Sequence, residues 1–373
     1  MMKRILYQPL PVLFFAMTLV MLAAYLLKPE DSFSYLENRY LQGRPKFSVE
    51  GLKDGSFMSR FETYTDEQIP LRDDLIKLKS ISETILLKSE NNGIARGRDR
   101  YLFTKVLKDD ERLYGNESLI EDFARECGRD IYLVIAPNAS EMLPRLLPRG
   151  LPVSDQTKNI KGFYEEASLQ PNIHVIDLGL KISDHTNEQL YYRTDHHWTT
   201  KAAYYAYEEI IKRIGLNKAV DYTRLESGSI SDFYGTLYAK YKGIGIKPDV
   251  ISYFEIPIDS LEYDDEVKDS LYDMSKAEEY DKYAMFLWGN HGLTRIKASN
   301  GGNGRKLILF KDSYANCLVP FLTYNYDEIL VVDLRYYGDS VKELLDDNPY
   351  ADLMMLYNYA NFAEDSNLYK LLR

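Results

Sequence analysis

Apolar residues cluster into stretches of the kind that form strands buried on both faces of a sheet. Ile131–Ala136 is continuously apolar, residues 173–178 are mostly apolar, and residues 306–310 repeat the pattern. Helix-like and strand-like segments alternate over short links after residue 310, and such alternation predicts a parallel sheet covered by helices. The segments predicted there are a helix at 316–322, a strand at 328–334, a helix at 340–346 and a strand at 353–357.

An uncharged apolar run at residues 10–27 has the length of a membrane helix, which needs roughly 17–25 such residues. Lys3 and Arg4 precede it, and positive charge on that side predicts a cytoplasmic N-terminus with the rest of the chain outside the cell. A cleaved signal peptide is the alternative, but no small-x-small cleavage site stands before Lys28. We therefore expect an uncleaved, single-pass anchor.

Composition limits the classes of function. The formal net charge is −11, and no basic cluster is dense enough to neutralise phosphates, which excludes a nucleic-acid surface. Cys127 and Cys317 are the only cysteines; they could pair, but both fall in predicted helices and we expect two buried free thiols. Because no Cys/His spacing matches a zinc site, we expect no metal and no cofactor.

Two of the five histidines stand beside a carboxylate in residues 195–198, Asp-His-His-Trp. A helical pattern begins directly afterwards, with Thr199 or Thr200 as its N-cap, so these residues lie on a connection that opens into a helix. An Asp beside an imidazole fixes its tautomer and stabilises the imidazolium, as a general base requires. This stretch therefore predicts the acid–base half of a catalytic site.

Ser313 offers the nucleophile, because it follows the strand predicted at 306–310 and precedes a predicted helix. A serine at such a junction is exposed and lies near free backbone N–H groups that can hold an oxyanion. Its neighbour Asp312 is expected to make a turn hydrogen bond rather than to act as the triad acid.

The motif Asp-x-His-Trp-Thr at 195–199, followed by Lys-Asp-Ser-Tyr at 311–314, resembles the DHHW family of bacterial proteins. That family is similar to the SGNH-hydrolase-like O-acetyltransferases that acetylate alginate at the cell surface. The resemblance implies Ser313 as nucleophile, His197 as base and Asp195 as the residue that orients the base. Further segments that resemble the family lie at 37–39, 72–73, 101–103, 289–292 and 333–337.

The resemblance also implies a fold and an activity. The fold is an SGNH-like three-layer α/β/α sandwich, and the activity is O-acetylation of an extracellular polysaccharide or cell-wall glycan through an acyl-enzyme. A membrane-bound O-acyltransferase is the expected supplier of the acyl group. A carbohydrate acetylesterase with the same triad and a non-catalytic glycan-binding or assembly subunit remain as alternatives, because choice of acceptor depends on the shape of the cleft.

Two neighbours of the motif are assigned supporting roles. His196 could replace His197 geometrically, but the family pattern Asp-x-His favours His197 and leaves His196 as a packing or supporting residue. Trp198 is expected in the core or in the wall of the cleft. A metal site on the two histidines is not expected, because adjacent residues seldom face one ion and no third ligand is evident.

Five further residues are candidates for contact with the substrate or the oxyanion. Lys311 stands where ordinary SGNH enzymes have glycine, so the oxyanion hole of those enzymes is not carried over. Asn290 is either a donor to the oxyanion or substrate or simply a residue with positive φ. Arg335 either reaches the face of Ser313 or forms a surface ion pair. The candidates are Asn290, His291, Tyr314, Asn316 and Arg335.

The chain is therefore expected to contain three parts. Residues 1–28 are the cytoplasmic tip and the anchor, 29–90 are a tether with a helical segment, and 91–373 are an SGNH-like catalytic domain. The alternation of strands and helices breaks between residues 217 and 303, where 259–282 is strongly acidic. We interpret 217–303 as an insertion or lid beside the site.

Overall fold

The computed structural model describes residues 9–34, 39–86, 88–105, 111–216, 219–301 and 304–373. Several residues used above lie outside these ranges: Lys3, Arg4, Glu37, Asn38 and the two ends, 217 and 303, of the expected insertion. The chain divides into two compact units, one formed by Met1–Lys88 with Lys242–Ile244 and the other by Ser89–Tyr241 with Gly245–Arg373.

The first unit consists of helices and one short hairpin. Phe33–Ser34 (β1) pairs with Arg39–Tyr40 (β2) in antiparallel fashion. The helices are Pro9–Leu27 (α1), Val49–Lys53 (α2), Ser56–Glu67 (α3) and Arg72–Ile85 (α4). Helix α1 has 19 residues and a mean hydropathy of 2.4, and it is the one described helix whose length and composition suit a membrane crossing.

The second unit is built on an eight-stranded mixed sheet and also contains two small separate sheets. The strands of these three sheets are, in chain order, Glu90–Asn91 (β3), Ile94–Arg96 (β4), Leu102–Thr104 (β5), Ile131–Ala136 (β6), Ile173–Val175 (β7), Ser227–Phe233 (β8), Asp249–Phe254 (β9), Ile258–Tyr263 (β10), Glu266–Lys268 (β11), Leu293–Ala298 (β12), Lys306–Lys311 (β13), Glu328–Val332 (β14) and Asp352–Asn358 (β15). The strand order in the large sheet is β11-β10-β12-β14-β13-β15-β6-β7, while β3–β5 and β8–β9 form the two small sheets.

Helices cover both faces of the large sheet. Along the central strand β13, Leu307 and Leu309 pack into one hydrophobic cluster with the helix that follows Thr199. Ile308 and Phe310 point the other way, into a second cluster. The α-helices of this unit are Glu111–Cys127 (α5), Ala139–Met142 (α6), Gln156–Ala167 (α7), Gly179–Ser183 (α8), Thr200–Ile214 (α9), Thr236–Tyr241 (α10), Val319–Leu322 (α11), Val341–Asp347 (α12) and Tyr359–Glu364 (α13).

The expected fold class is confirmed, but the sheet is not wholly parallel. Strands β14, β13, β15, β6 and β7 run parallel, whereas β12, β10 and β11 are antiparallel additions beside β14. All three added strands come from the segment expected to be an insertion or lid, so much of that segment extends the sheet. The missed strand β12 is buried on one face only and therefore lacks a continuous apolar run.

The segment after Asp312 also differs from the prediction of a single helix. Ser313–Cys317 is a 3₁₀-helix, and α11 begins only at Val319. Pro320 stands in the first turn of α11, where its missing N–H is tolerated and its fixed φ suits a helix start. Cys127 and Cys317 are both free, as expected, although Cys127 is only partly buried.

Candidate active site

Ser313 lies at the carboxyl end of the central strand, as the first residue of the 3₁₀-helix. The preceding residue, Asp312, caps this helix by accepting a hydrogen bond of 2.8 Å from the N–H of Tyr314. Its other oxygen accepts from the N–H (2.8 Å) and the amide (2.6 Å) of Asn358. Burial raises the pKa of Asp312 despite these bonds. Asp312 thus makes the expected turn hydrogen bond and joins β13 to β15.

The structure brings Ser313, His197 and Asp195 into one hydrogen-bonded line. Nε2 of His197 lies 2.7 Å from Oγ of Ser313, and Nδ1 of His197 lies 2.5 Å from Oδ1 of Asp195. All three residues are buried, so the expectation that the serine is exposed was wrong. The distances are within the range at which an imidazole can accept the proton of a serine hydroxyl while a carboxylate holds its other nitrogen.

Asp195 is held as a carboxylate by four donors. Oδ1 accepts from both the backbone N–H and Nδ1 of His197, while Oδ2 accepts from the N–H (2.8 Å) and the hydroxyl (3.0 Å) of Thr236. Burial alone would raise the pKa of Asp195, but the imidazoles of His196 and His197 and the N–H of Thr236 outweigh it and keep the pKa well below its usual range. Asp195 therefore stays ionised beside the base.

Gly235 makes room for this carboxylate. A Cβ atom at residue 235 would lie 2.2 Å from Cβ and 2.3 Å from Oδ2 of Asp195, which is closer than real atoms approach. The loop 234–236 can therefore approach Asp195 only with glycine at this position. Sequence patterns give no sign of this requirement, because the two residues meet only in the folded chain.

The loop that carries Asp195 and His197 is fixed at both ends. Tyr191 and Trp198 form an antiparallel bridge across it. Thr199 caps helix α9 as expected, since its side chain accepts from the N–H of Ala202. The buried carboxylate of Asp249 accepts from the N–H (2.8 Å) and the hydroxyl (2.7 Å) of Thr194. Asp195 and His197 are thus supported by rigid neighbours rather than by a free loop.

Tyr283 is a part of the site that the sequence did not reveal. Its ring stacks on the imidazole of His197 with centroids 3.8 Å apart and planes 12° apart. Its hydroxyl donates to the backbone carbonyl of Ser313 at 3.1 Å. One residue from the segment expected as an insertion therefore contacts both His197 and Ser313.

His196, Trp198 and Tyr314 support the site from behind. Nδ1 of His196 lies 2.7 Å from the hydroxyl of Thr236, and burial followed by the neighbouring His197 lowers the pKa of His196 to about 4. Trp198 is fully buried and donates to the carbonyl of Tyr314 at 2.8 Å, while the Tyr314 hydroxyl donates to the carbonyl of His196 at 2.6 Å. Tyr314 is therefore a core residue and does not line a pocket.

Lys311 forms the centre of a second polar group next to Ser313. Its Nζ lies 2.7 Å from Oδ1 of Asn290, 2.8 Å from Oδ1 of Asn316 and 3.4 Å from Oδ2 of Asp333. Arg335 donates to both oxygens of Asp333, at 2.8 and 2.5 Å. Three of the substrate candidates thus belong to one network, and Arg335 enters it through a buried carboxylate rather than a surface ion pair.

His291 is not part of that network. Its two ring nitrogens lie 2.7 Å from Oδ2 of Asp264 and 3.0 Å from the carbonyl of Trp288, and its ring stacks on Tyr263. Because both nitrogens already have partners within the chain, His291 supports its own turn and has no free nitrogen for the site around Ser313.

Among the residues that the structure describes, one cluster has the composition of a metal site. The potential ligand atoms of Asp195, His196 and His197 all lie within 4.8 Å of one another. Asp195 and His197, however, already use these atoms in the bonds to Thr236 and Ser313. An ion bound there would have to displace the hydrogen bonds that join Asp195, His197 and Ser313.

The profile of the DHHW protein family matches residues 125–332, more than half of the chain. The chain belongs to the DHHW family. It is also 25% identical over 170 residues to the probable alginate O-acetylase AlgJ of Pseudomonas fluorescens. That alignment covers 43% of this chain and 43% of AlgJ, so the chain spans less than half the length of this relative.

Solved structures share the fold of this DHHW protein. A DHHW family protein from Eubacterium siraeum superposes with a TM-score of 0.65 at 23% identity, covering 76% of this chain and 96% of that one. PatB1 of Bacillus cereus superposes with a TM-score of 0.60 at 20% identity, covering 73% and 97% of the two chains. A further structure of PatB1 with a sulfonyl adduct gives a TM-score of 0.62. At these identities the likeness shows the fold alone.

Proposed function

We propose that this DHHW protein is a serine-dependent O-acetyltransferase acting on a hydroxyl group of an extracellular polysaccharide or cell-wall glycan. The observation that carries the proposal is the continuous line from Ser313 Oγ through His197 to Asp195, with separations of 2.7 and 2.5 Å. The catalytic role is assigned to residues 91–373. The similarity to AlgJ, a probable alginate O-acetylase, supports acetyl transfer to a polysaccharide.

Acylation begins when Ser313 Oγ attacks the carbonyl carbon of an acetyl donor and passes its proton to Nε2 of His197. The new C–O bond converts the carbonyl oxygen to an oxyanion. Collapse of this intermediate breaks the bond to the leaving group, which takes the proton from His197. Asp195 stays ionised throughout and stabilises the imidazolium, as its low pKa allows.

Transfer repeats these steps with a sugar as the nucleophile. His197 removes the proton from a sugar hydroxyl, whose oxygen attacks the acetyl carbon on Ser313. The acyl–serine bond then breaks, Ser313 recovers its proton from His197, and the sugar leaves as an acetate ester. The Tyr283 ring lies off the line along which the proton moves, so it does not obstruct the transfer. It can therefore stay stacked on the imidazole of His197 through both half-reactions.

The proposed cellular arrangement places this chemistry outside the cell. Helix α1 would anchor the chain with the N-terminus in the cytoplasm, and a membrane-bound O-acyltransferase would deliver the acetyl group. Protease added to intact cells should then degrade the second unit while α1 remains in the membrane. Protection of that unit, or a mature N-terminus beyond residue 27, would contradict this topology.

The triad is tested with the full-length chain in detergent micelles and a chromogenic acetyl ester. Wild type should release the chromophore and gain one acetyl group on Ser313 by peptide mass spectrometry. Ser313→Ala and His197→Ala should each reduce release by several orders of magnitude, because members of a triad act as a unit. Ser118→Ala, the same change on the exposed surface of α5, should behave as wild type.

The acceptor is identified by adding oligosaccharides to the acetylated chain. Movement of the acetyl group to sugar would establish a transferase, whereas release of acetate to water with every acceptor would establish an acetylesterase. If wild type and Ser313→Ala behaved alike and no acyl-enzyme formed, the chain would be a glycan-binding or assembly subunit instead.

A further inference from the structure

Lys311 is a buried cation two residues before the nucleophile. Only 2% of its side chain is exposed, and an ammonium group in such a place is costly unless all its donors are satisfied. Its three N–H donors have three acceptors, Asn290, Asn316 and Asp333. Asp333 remains neutralised from its other side by Arg335. Lys311 is thus fixed in direction as well as in place.

This cation determines how the Asn290 amide is turned. A lysine ammonium only donates hydrogen bonds, so the oxygen of each neighbouring amide must face it. Oδ1 of Asn290 accepts from Lys311 at 2.7 Å and from the Asn316 amide at 3.2 Å. Its N–H₂ group therefore faces away from Lys311, and within the described part of the chain this group has no hydrogen-bond partner. Asn290 is partly exposed.

The backbone before Asn290 is strained in a way that supports a role for this residue. Leu287 and Trp288 have positive φ angles of 55° and 60°, and Gly289 follows at 102°. Such angles cost on the order of 1–3 kcal/mol each for residues other than glycine and collect at functional sites. Bonds from the Leu287 N–H to Leu271 and from the Trp288 indole to Ser270 hold the turn in place. Asn290 itself does not have positive φ.

We propose that Lys311 is a positioning residue that turns the Asn290 amide so that its N–H₂ donates to the oxyanion of the acylation step. This inference rests on the proposed function. When Ser313 attacks, the electron pair of the carbonyl moves to oxygen, and the Asn290 donor stabilises that charge without being consumed.

A double-mutant cycle tests whether Lys311 acts through Asn290. The variants are Lys311→Met, Asn290→Ala and the combination, and the readout is the rate at which the full-length chain acquires an acetyl group from a chromogenic ester. Loss of one oxyanion donor lowers the maximal rate by roughly 10²–10³-fold, so Asn290→Ala should fall in that range with the half-saturating ester concentration little changed. Lys311→Met should lose on the order of tenfold or more alone, but less than about threefold in the Asn290→Ala background.

Lys306→Met is the matched control, because it makes the same change at the other, exposed end of β13, where Lys306 pairs with Glu328. It should leave the acetylation rate unchanged. Lys311→Met should fold, because Arg335 still neutralises Asp333 and methionine has a similar shape. Its thermal unfolding is compared with that of wild type.

The pH dependence gives a second readout that needs no change at Lys311. Burial lowers the pKa of Lys311 to about 8, opposed by Asp333 and Asp312 and reinforced by Arg335. The amine is therefore charged below pH about 8 and neutral above it, where two N–H donors remain for three acceptors. The acetylation rate of wild type should fall as pH rises through 8, and this fall should be absent in Asn290→Ala.

The possible results separate the inference from the function on which it rests. Non-additive losses, or an alkaline fall that disappears with Asn290, support the inference. Additive losses, together with an identical alkaline profile in wild type and Asn290→Ala, overturn it while leaving the triad intact. If Lys311→Met does not fold, the two pH profiles decide. If wild type acquires no acetyl group on Ser313, the proposed function fails and this inference fails with it.

Discussion

Replacement of Asp195 by asparagine tests directly the role assigned to the carboxylate in the triad. The carboxylate accepts four hydrogen bonds, two from His197 on one oxygen and two from Thr236 on the other. Asparagine keeps the shape but exchanges one acceptor for an N–H₂ donor. If that donor faces Thr236, it opposes a buried N–H. If it faces His197, Nδ1 must become an acceptor and the imidazole proton moves to Nε2, opposite the serine hydroxyl.

Both orientations therefore impair the site, and the second removes the base outright. The same exchange in a well-studied serine triad lowers kcat about 10⁴-fold, and we expect a loss of similar order here. A factor of 10⁴ corresponds to about 5 kcal/mol of transition-state stabilisation. The loss should be smaller than that from Ser313→Ala or His197→Ala, since nucleophile and imidazole remain present.

The assay is the rate of acetyl-serine formation with a chromogenic ester, followed by mass spectrometry across a range of ester concentrations. Asp130→Asn is the control, because Asp130 bonds an imidazole, His174 Nε2, at 2.9 Å but on the exposed surface. It should acetylate at the rate of wild type. If Asp195→Asn kept its rate within about tenfold of wild type, the tautomer of His197 would not depend on Asp195 and the assigned role would be wrong.

Other predictions concern the surroundings of the triad. Gly235→Ala should displace the carboxylate of Asp195 and so reduce both the acetylation rate and the thermal midpoint. Gly115→Ala is the control: a Cβ there meets no described atom within 4 Å, and the change should raise stability by about 0.5–1 kcal/mol. Tyr283→Phe keeps the ring stack and should lose less acetylation rate than Tyr283→Leu, measured with the same ester. His196 has a pKa of about 4 in the folded chain, below its value in the unfolded chain. Between these two values only the unfolded chain binds a proton at His196, so stability should fall as the pH is lowered from 6.5 to 4. His196→Gln should flatten that fall in thermal midpoint; an unchanged slope would show that other groups cause it.

Local patterns were sufficient to predict the parts of the fold that are buried on both faces. Ile131–Ala136 and the strand before Ser313 are continuous apolar runs, and both are interior strands of the sheet. Strand β7 was predicted at twice its length, because Ile176 and Leu178, which follow its end at Val175, are also buried in the core. The antiparallel strand β12 was missed, since burial on one face leaves no continuous run.

The residues of the candidate site likewise fall into those that sequence patterns predict and those that they do not. Asp195, His197 and Ser313 stand in short motifs with a chemistry that can be read from residue types, and the structure brings them together. Tyr283 and Thr236 contact the triad from distant segments, and nothing in their own neighbourhoods distinguishes them from packing or capping residues. Lys311 gave a visible signal, a lysine at the end of an apolar strand, but its partners are set by tertiary contacts.

The two halves of the site are joined by their neighbours as well as by the triad. The Tyr314 hydroxyl bonds to the backbone beside the base, and the Trp198 indole bonds to the backbone beside the nucleophile. These crossed bonds do not involve the serine hydroxyl. In Ser313→Ala the imidazole should therefore keep its place, and the inert chain would present an intact cleft. That variant is the form in which a complex with an acetyl donor or a glycan could persist long enough to be crystallised.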